Sequence, residues 1–182
     1  LLNENNGDFK ILILSSVDRE ESLNMIINII SILKRNYICS FKSHPLNIID
    51  YDVEQLFQKD DRLNQLEILN NNKNYFDHIV NSDVVLFCNS TIGIESIALG
   101  VPSISFETYN SIKSYDIIEV SDSLYRATNA KEIQNAIESI RAKDDILINK
   151  KKSWDKTLSD TFYKLDGFSG NRLIDIINSN IH

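Results

Sequence analysis

Glycine, proline and cysteine are scarce in this chain: its 182 residues hold five, two and two of them, with one methionine and one tryptophan. Each shortage excludes something. Cys39 and Cys88 each sit inside an apolar run and read as buried thiols of a reducing compartment in preference to a disulfide framework, and the expected location is cytoplasmic. No run approaches the roughly 18 uninterrupted apolar residues of a membrane span. The longest candidate, MIINIISIL, is broken by Asn28 and Ser31, and nothing resembles a signal peptide. Positive charge is short too. Nineteen Lys and Arg against 26 Asp and Glu leave −7, which argues against a general nucleic-acid binder, because sequence-independent phosphate affinity comes from clustered cations. GxGxxG and GxxxxGK(S/T) are both missing, as is any Cys/His/Asp spacing suited to zinc, so dinucleotide, P-loop and metal readings fall away.

What is present is an alternation. FKILILSS, YICSFKSHP, QLEIL, DVVLFCNS, VPSISF and LYRAT read as strands, the last at a sheet edge, and helix-length segments separate most of them. A helix over about 20–35 follows the N-cap Asp18, with Leu23, Ile26, Ile27, Ile30 and Leu33 as its expected buried face. Asn129 is the expected N-cap of a later helix. This order predicts an α/β domain with a doubly wound parallel sheet, Rossmann-like, covered on both faces. The stretch LLNENNGD reads as a linker tail and the chain opens on Leu1, so a piece of a longer protein is expected. The domain would occupy 9–182, with a helical tail from about 144.

In such sheets ligands bind beyond the carboxyl ends of the strands. Two places there draw attention. CNSTIGIESIALGVPSI holds two of the five glycines and one of the two prolines. Ser90 or Thr91 can cap the helix while the first-turn N–H groups and the dipole face an anion, and Gly93 would lower the bulk around a phosphate. An ordinary Ser/Thr cap with an incidental glycine fits the same residues. Glu95, one turn beyond Thr91 on the same face, can accept from a ribose diol; the plainer reading is a solvated helix glutamate. The second place is KSHP. His44 would stand at the end of a central strand, Pro45 would stop the ladder, and Lys42 would point to the same side of the pleat.

These residues resemble a known pattern. DVVLFCNSTIGIESIALGVPSISF is similar to the C-terminal nucleotide-binding half of GT-B glycosyltransferases: strand, Ser/Thr pair, glutamate, small-x-Gly-x-Pro, strand. With the SHP it resembles bacterial sialyltransferases, Kdo transferases and CDP-glycerol-type polymer transferases. The resemblance implies that His44 contacts donor phosphate, that Ser90 and Thr91 bind that phosphate, that Glu95 holds ribose, and that Ser15 and Ser16 add further phosphate contacts. It implies an inverting enzyme of surface-polysaccharide synthesis using a CMP- or CDP-activated donor, with no cofactor beyond that substrate. Cys88, seven residues before Glu95, stands where many retaining GT-B enzymes carry a second glutamate. The general base and the glycan acceptor would belong to an absent N-terminal domain. A UDP-GlcNAc 2-epimerase-like domain, a UDP-sugar transferase domain and a non-catalytic nucleotide-binding module remain alternatives.

Other groups offer less. His78 is expected on a helix surface, His182 is terminal, and Asp116 and Glu119 are expected in solvent. Lys150, Lys151 and Lys152, with Trp154, read as a solvated helix face, with peripheral membrane contact as the weaker expectation.

Overall fold

The computed structural model describes residues 7–59, 63–69, 75–108, 122–162 and 164–179; the readings for the start of the linker tail, Asp116, Glu119 and His182 lie outside them. Six parallel strands form one sheet: β1 (Phe9–Leu14), β2 (Tyr37–Lys42), β3 (Leu66–Ile68), β4 (Val84–Phe87), β5 (Ser103–Phe106) and β6 (Tyr125–Ala127), in the order β3-β2-β1-β4-β5-β6. The helices are α1 (Arg19–Ile32), α2 (Asp50–Gln58), α3 (Tyr75–Val80), α4 (Ile92–Ala98), α5 (Ala130–Ala142), α6 (Asp145–Phe162) and α7 (Ser169–Ser179). The expected doubly wound sheet is present, with β6 at its edge.

Strand alternation divides the core in two. Phe9, Ile11 and Ile13 of β1, with Tyr37, Cys39, Phe41, Val84 and Leu86, pack against α1, α2 and α5 through Met25, Ile26, Val53, Ile133 and Ile137. Leu12, Leu14, Val85 and Phe87 pack on the other face against Ile79 of α3, Ile92 and Ile97 of α4, and Trp154 of α6. Both cysteines are free and buried. Burial pushes the Cys39 thiol up to about 12. The Cys88 thiol is raised as well, by burial first and then by Glu21 and Asp18.

The caps are those the sequence predicts. Asp18 accepts from the Glu21 N–H at 2.8 Å, and Asn129 from the Glu132 N–H at 3.0 Å. The buried face of α1 differs from expectation: Met25, Ile26, Ile29 and Ile30 are inside, while Ile27 is 54% exposed. An isoleucine-rich helix offers more than one apolar stripe, and Ser22, fully buried against the β1 loop, fixes which one turns inward. Trp154 and Lys150 also differ, while Lys151 and Lys152 are exposed as expected. The indole is buried and donates from Nε1 to the Ser123 carbonyl at 3.0 Å, while the Lys150 ammonium donates to the Leu124 carbonyl at 2.6 Å and lies over the Tyr125 ring. This stretch of α6 fastens the helix to the sheet, so Trp154 presents nothing to a membrane surface. No described helix is long and apolar enough to cross a membrane.

Candidate functional site at the carboxyl edge of the sheet

Because every strand pair is parallel, the loops after β1, β2 and β4 emerge at one edge. β2 and β4 flank β1 on either side, so their axes lie about 10 Å apart. The strand order reverses between β1 and β4, which is the crevice where such sheets accept ligands. His44 follows β2, Ser15 and Ser16 follow β1, and Ser90 and Thr91 follow β4. The strand order thus brings the residues singled out in the sequence to three neighbouring loops.

The first two loops are tied together. The His44 N–H donates to Ser15 Oγ at 2.7 Å, and the Asn47 side-chain amide donates to the Ser16 carbonyl at 2.9 Å. Pro45 and Leu46 form the tip of a tight turn closed by the Asn47 N–H on the His44 carbonyl at 2.8 Å; β2 and its pairing already stop at Lys42, so Pro45 shapes the turn and does not itself end the ladder. Ser43, buried beneath this turn, donates to Asp50 and accepts from the Ile49 N–H. The turn also sets the imidazole. Its Nδ1 accepts from the Leu46 N–H at 3.2 Å, which leaves the proton of the neutral ring on Nε2 as a donor. Lys42, the last residue of β2, is half-buried.

Ser15 and Ser16 are both buried. The Ser16 hydroxyl accepts from the Asp18 N–H at 3.1 Å and meets Glu21 Oε2 at 3.1 Å, while the Ser16 N–H donates to Ser22 Oγ at 3.0 Å. Glu21 is only 7% exposed, and this cluster holds the start of α1 to the end of β1. The relay replaces the direct Glu21-to-Asp18 arm of a capping box.

After β4 the backbone turns through Asn89 at φ 39°, a left-handed conformation that asparagine tolerates better than most residues. Ser90 Oγ accepts from the Ile92 N–H at 3.3 Å, whereas Thr91, at helical angles, makes no side-chain cap. Thr91 Oγ1 instead donates to Glu95 Oε1 at 3.1 Å, which fits the shared face expected of residues four apart. The other carboxylate oxygen, Oε2, accepts from the Tyr75 hydroxyl at 2.7 Å. Glu95 is therefore a half-buried, partnered carboxylate rather than a solvated one.

Gly93 needs a different explanation from the one its sequence suggests. It is buried, and a Cβ there would stand 2.3 Å from Cζ of the Phe87 ring. Its carbonyl accepts from Ser103 Oγ at 3.2 Å. The missing side chain lets α4 lie close on β4 and β5; it does not open space at the helix mouth. His78 is half-exposed on α3, in keeping with a helix-surface residue, although its Nε2 is sealed from solvent and has no hydrogen-bond partner among the described residues.

Tyr75, Asn47 and the Ser43–Asp50 pair were not read from the sequence. The one available signal was position: Tyr75 opens the helix after β3 and so comes to the same edge. Concavity is a poor guide here. A cleft of about 660 Å³ lies at the opposite edge, lined by Phe9, Asp83, Pro102, Arg141, Lys143 and Lys151 among others, away from these loops. Among the described residues, no group of His, Cys, Asp and Glu side chains is arranged to hold a metal ion.

The strand order defines a Rossmann-like fold of the kind that forms the C-terminal half of GT-B proteins. The chain is similar in structure to the C-terminal CMP-Kdo binding domain of WaaA from Acinetobacter baumannii, at TM-score 0.60 and 14% identity over 84% of this chain and 91% of that one. It is also similar to the wall teichoic acid polymerase TagF, at TM-score 0.63 and 16% identity over 99% of this chain and 45% of that one. A third similar structure is the Methanocaldococcus jannaschii UDP-GlcNAc 2-epimerase in complex with UDP-GlcNAc and UDP, at TM-score 0.56 and 19% identity over 90% and 49%. The chain thus spans about half the length of TagF and the epimerase, and nearly all of the isolated WaaA domain. No family model matches the sequence, and no curated protein matches it.

Proposed function

We propose that this domain binds the nucleotide of an activated sugar at the carboxyl edge of its sheet, as the donor half of an inverting glycosyltransferase that builds surface polysaccharide from a CMP- or CDP-activated donor. The observation that carries the reading is the reversal of strand order between β1 and β4, with the His44 turn tied to one side of that crevice and Ser90 and Thr91 opening the other. His44 Nε2–H, the Ser90 hydroxyl and the Thr91 backbone N–H would donate to the donor phosphate, the Thr91 hydroxyl being committed to Glu95, with Lys42 adding charge and Ser15 and Ser16 shaping the β1 side. Glu95 would accept from the ribose hydroxyls. As the bond at the anomeric carbon breaks, negative charge grows on the departing phosphate, and donors already oriented toward it lower that barrier.

Deprotonation of the acceptor hydroxyl falls to a second domain facing this edge, so the domain alone is expected to bind nucleotide without turning over a sugar. Cys88, a buried thiol with a raised pKa, offers no carboxylate seven residues before Glu95, which supports the inverting branch. The free, buried state of both cysteines accords with a cytoplasmic location.

A UDP-GlcNAc 2-epimerase-like reading is favoured by the fold match to such an enzyme bound to UDP. Titration of the domain with CMP, CDP and UDP separates the two: tighter binding of the cytidine nucleotides is expected, and tighter binding of UDP would overturn the cytidine assignment. In the complete enzyme, His44→Ala should cut transfer by 10-fold or more. Unchanged transfer would reduce the domain to a binding module.

A further inference from the structure

Two hydrogen bonds give Glu95 a defined orientation. Thr91 Oγ1 reaches its Oε1 from the preceding turn of α4, and the Tyr75 hydroxyl reaches its Oε2 from the start of α3. The contact between the two helices joins residues 20 apart in sequence, and the short bond of 2.7 Å is one between a phenol and a carboxylate. The Tyr75 ring is itself held, 4.4 Å from the Phe76 ring and packed on the cluster beneath α3 and α4. Its phenol is pushed up to about 12, first by burial and then by the Glu95 carboxylate, so it remains a proton donor throughout the neutral range.

The geometry points to Tyr75 as a positioning residue for nucleotide recognition: its hydroxyl, with that of Thr91, locks the Glu95 carboxylate so that both oxygens keep a lone pair for a vicinal diol. A carboxylate has about four acceptor positions. Two are filled within the protein, one on each oxygen. The two left over lie on different oxygens, the arrangement a ribose 2′,3′-diol requires, whereas a 2′-deoxyribose can satisfy only one. Without Tyr75, the terminal torsion of a glutamate is broad, and binding must then order it. Tyr75 touches the carboxylate and not the reacting atoms, so its influence is on ribose selectivity. The inference rests on the assignment of Glu95 to ribose.

The test is calorimetric titration of the domain with CMP and 2′-deoxy-CMP, and with UMP and 2′-deoxy-UMP, for the native chain, Tyr75→Phe, Glu95→Gln and the double variant. The native chain is expected to favour the ribonucleotide of its preferred base by about 10-fold or more, the loss of one hydrogen bond to a charged group. Tyr75→Phe keeps the ring against Phe76 and should weaken ribonucleotide binding by roughly 5-fold with little change for the deoxynucleotide, bringing the ratio toward one. In the Glu95→Gln background the same change should have almost no further effect. A Tyr75→Phe domain that retains the full ribose preference, or an effect that simply adds to that of Glu95→Gln, would overturn the positioning role while leaving the donor site intact. Absence of any ribose preference in the native chain would instead sink the Glu95 assignment, and this inference with it.

Discussion

At the carboxyl edge of the sheet, hydroxyls, an amide and carboxylates hold the loops after β1, β2 and β4; at the amino edge, aromatic rings and an arginine do the same work. Phe9 and Tyr37 open adjacent strands with ring centroids 5.7 Å apart, and the Arg141 guanidinium lies 5.4 Å and 5.3 Å from the two rings. Asp83 caps the Lys10 N–H at 2.8 Å just before β4. The carboxyl edge instead spends its contacts on fixing polar groups: Ser15 on the His44 backbone, Leu46 on the His44 ring, Tyr75 and Thr91 on Glu95. The same strands thus end in packing on one side and in oriented, hydrogen-bonding side chains on the other. That difference separates stability from binding, and substitutions can test the separation.

Gly93→Ala attacks the junction of core and site and carries the largest expected effect. Its Cβ would fall 2.3 Å from the Phe87 ring, and Phe87 is fully buried. Overpacking of this kind costs about 1–3 kcal/mol. A fall in the urea midpoint together with weakened nucleotide binding is expected, because α4 must move; unchanged values for both would contradict the packing role. Glu95→Ala should raise the nucleotide Kd by roughly 10- to 100-fold while leaving the urea midpoint close to native. Arg141→Ala reverses the pattern, with about 1 kcal/mol of stability lost from the cation–π pair and nucleotide affinity unchanged.

The smallest expected effect concerns pH. The phenol of Tyr75 is raised from 10.0 to about 12 in the folded chain. Its contribution to stability is therefore complete below pH 10 and is lost as the pH rises toward 12, because the unfolded chain releases that proton first. The difference in urea midpoint between the native chain and Tyr75→Phe should shrink over that interval. A constant difference would contradict the raised value.

Much of the fold was legible because its signals are local. The β1 run FKILIL alternates between two cores, and Asp18 and Asn129 announce helix starts through bonds three residues away. The site was legible as far as the edge rule reaches, since parallel strands oblige His44, Ser15 and Ser90 to emerge together. What was hidden depends on lateral neighbours. Nothing in YFDHIV reveals that α3 presents Tyr75 to Glu95, because the β3–α3–β4 crossover sets that meeting. Gly93 was visible but ambiguous: a glycine that clears room for a ligand and one that admits a phenylalanine ring look alike in sequence. Ile27 and Trp154 went astray for a related reason, as which apolar face turns inward is settled by the partner element rather than by the helix itself.

The most direct test of the proposed nucleotide site is amide and imidazole NMR of the domain titrated with CMP or UDP. The account predicts that saturable shifts concentrate at the His44 ring and at the amides of Ser15, Ser90, Thr91, Gly93 and Glu95, with the Arg141, Lys143 and Lys151 signals unmoved. Shifts confined to that amino-edge cleft, with the His44 ring unaffected at saturation, would contradict it.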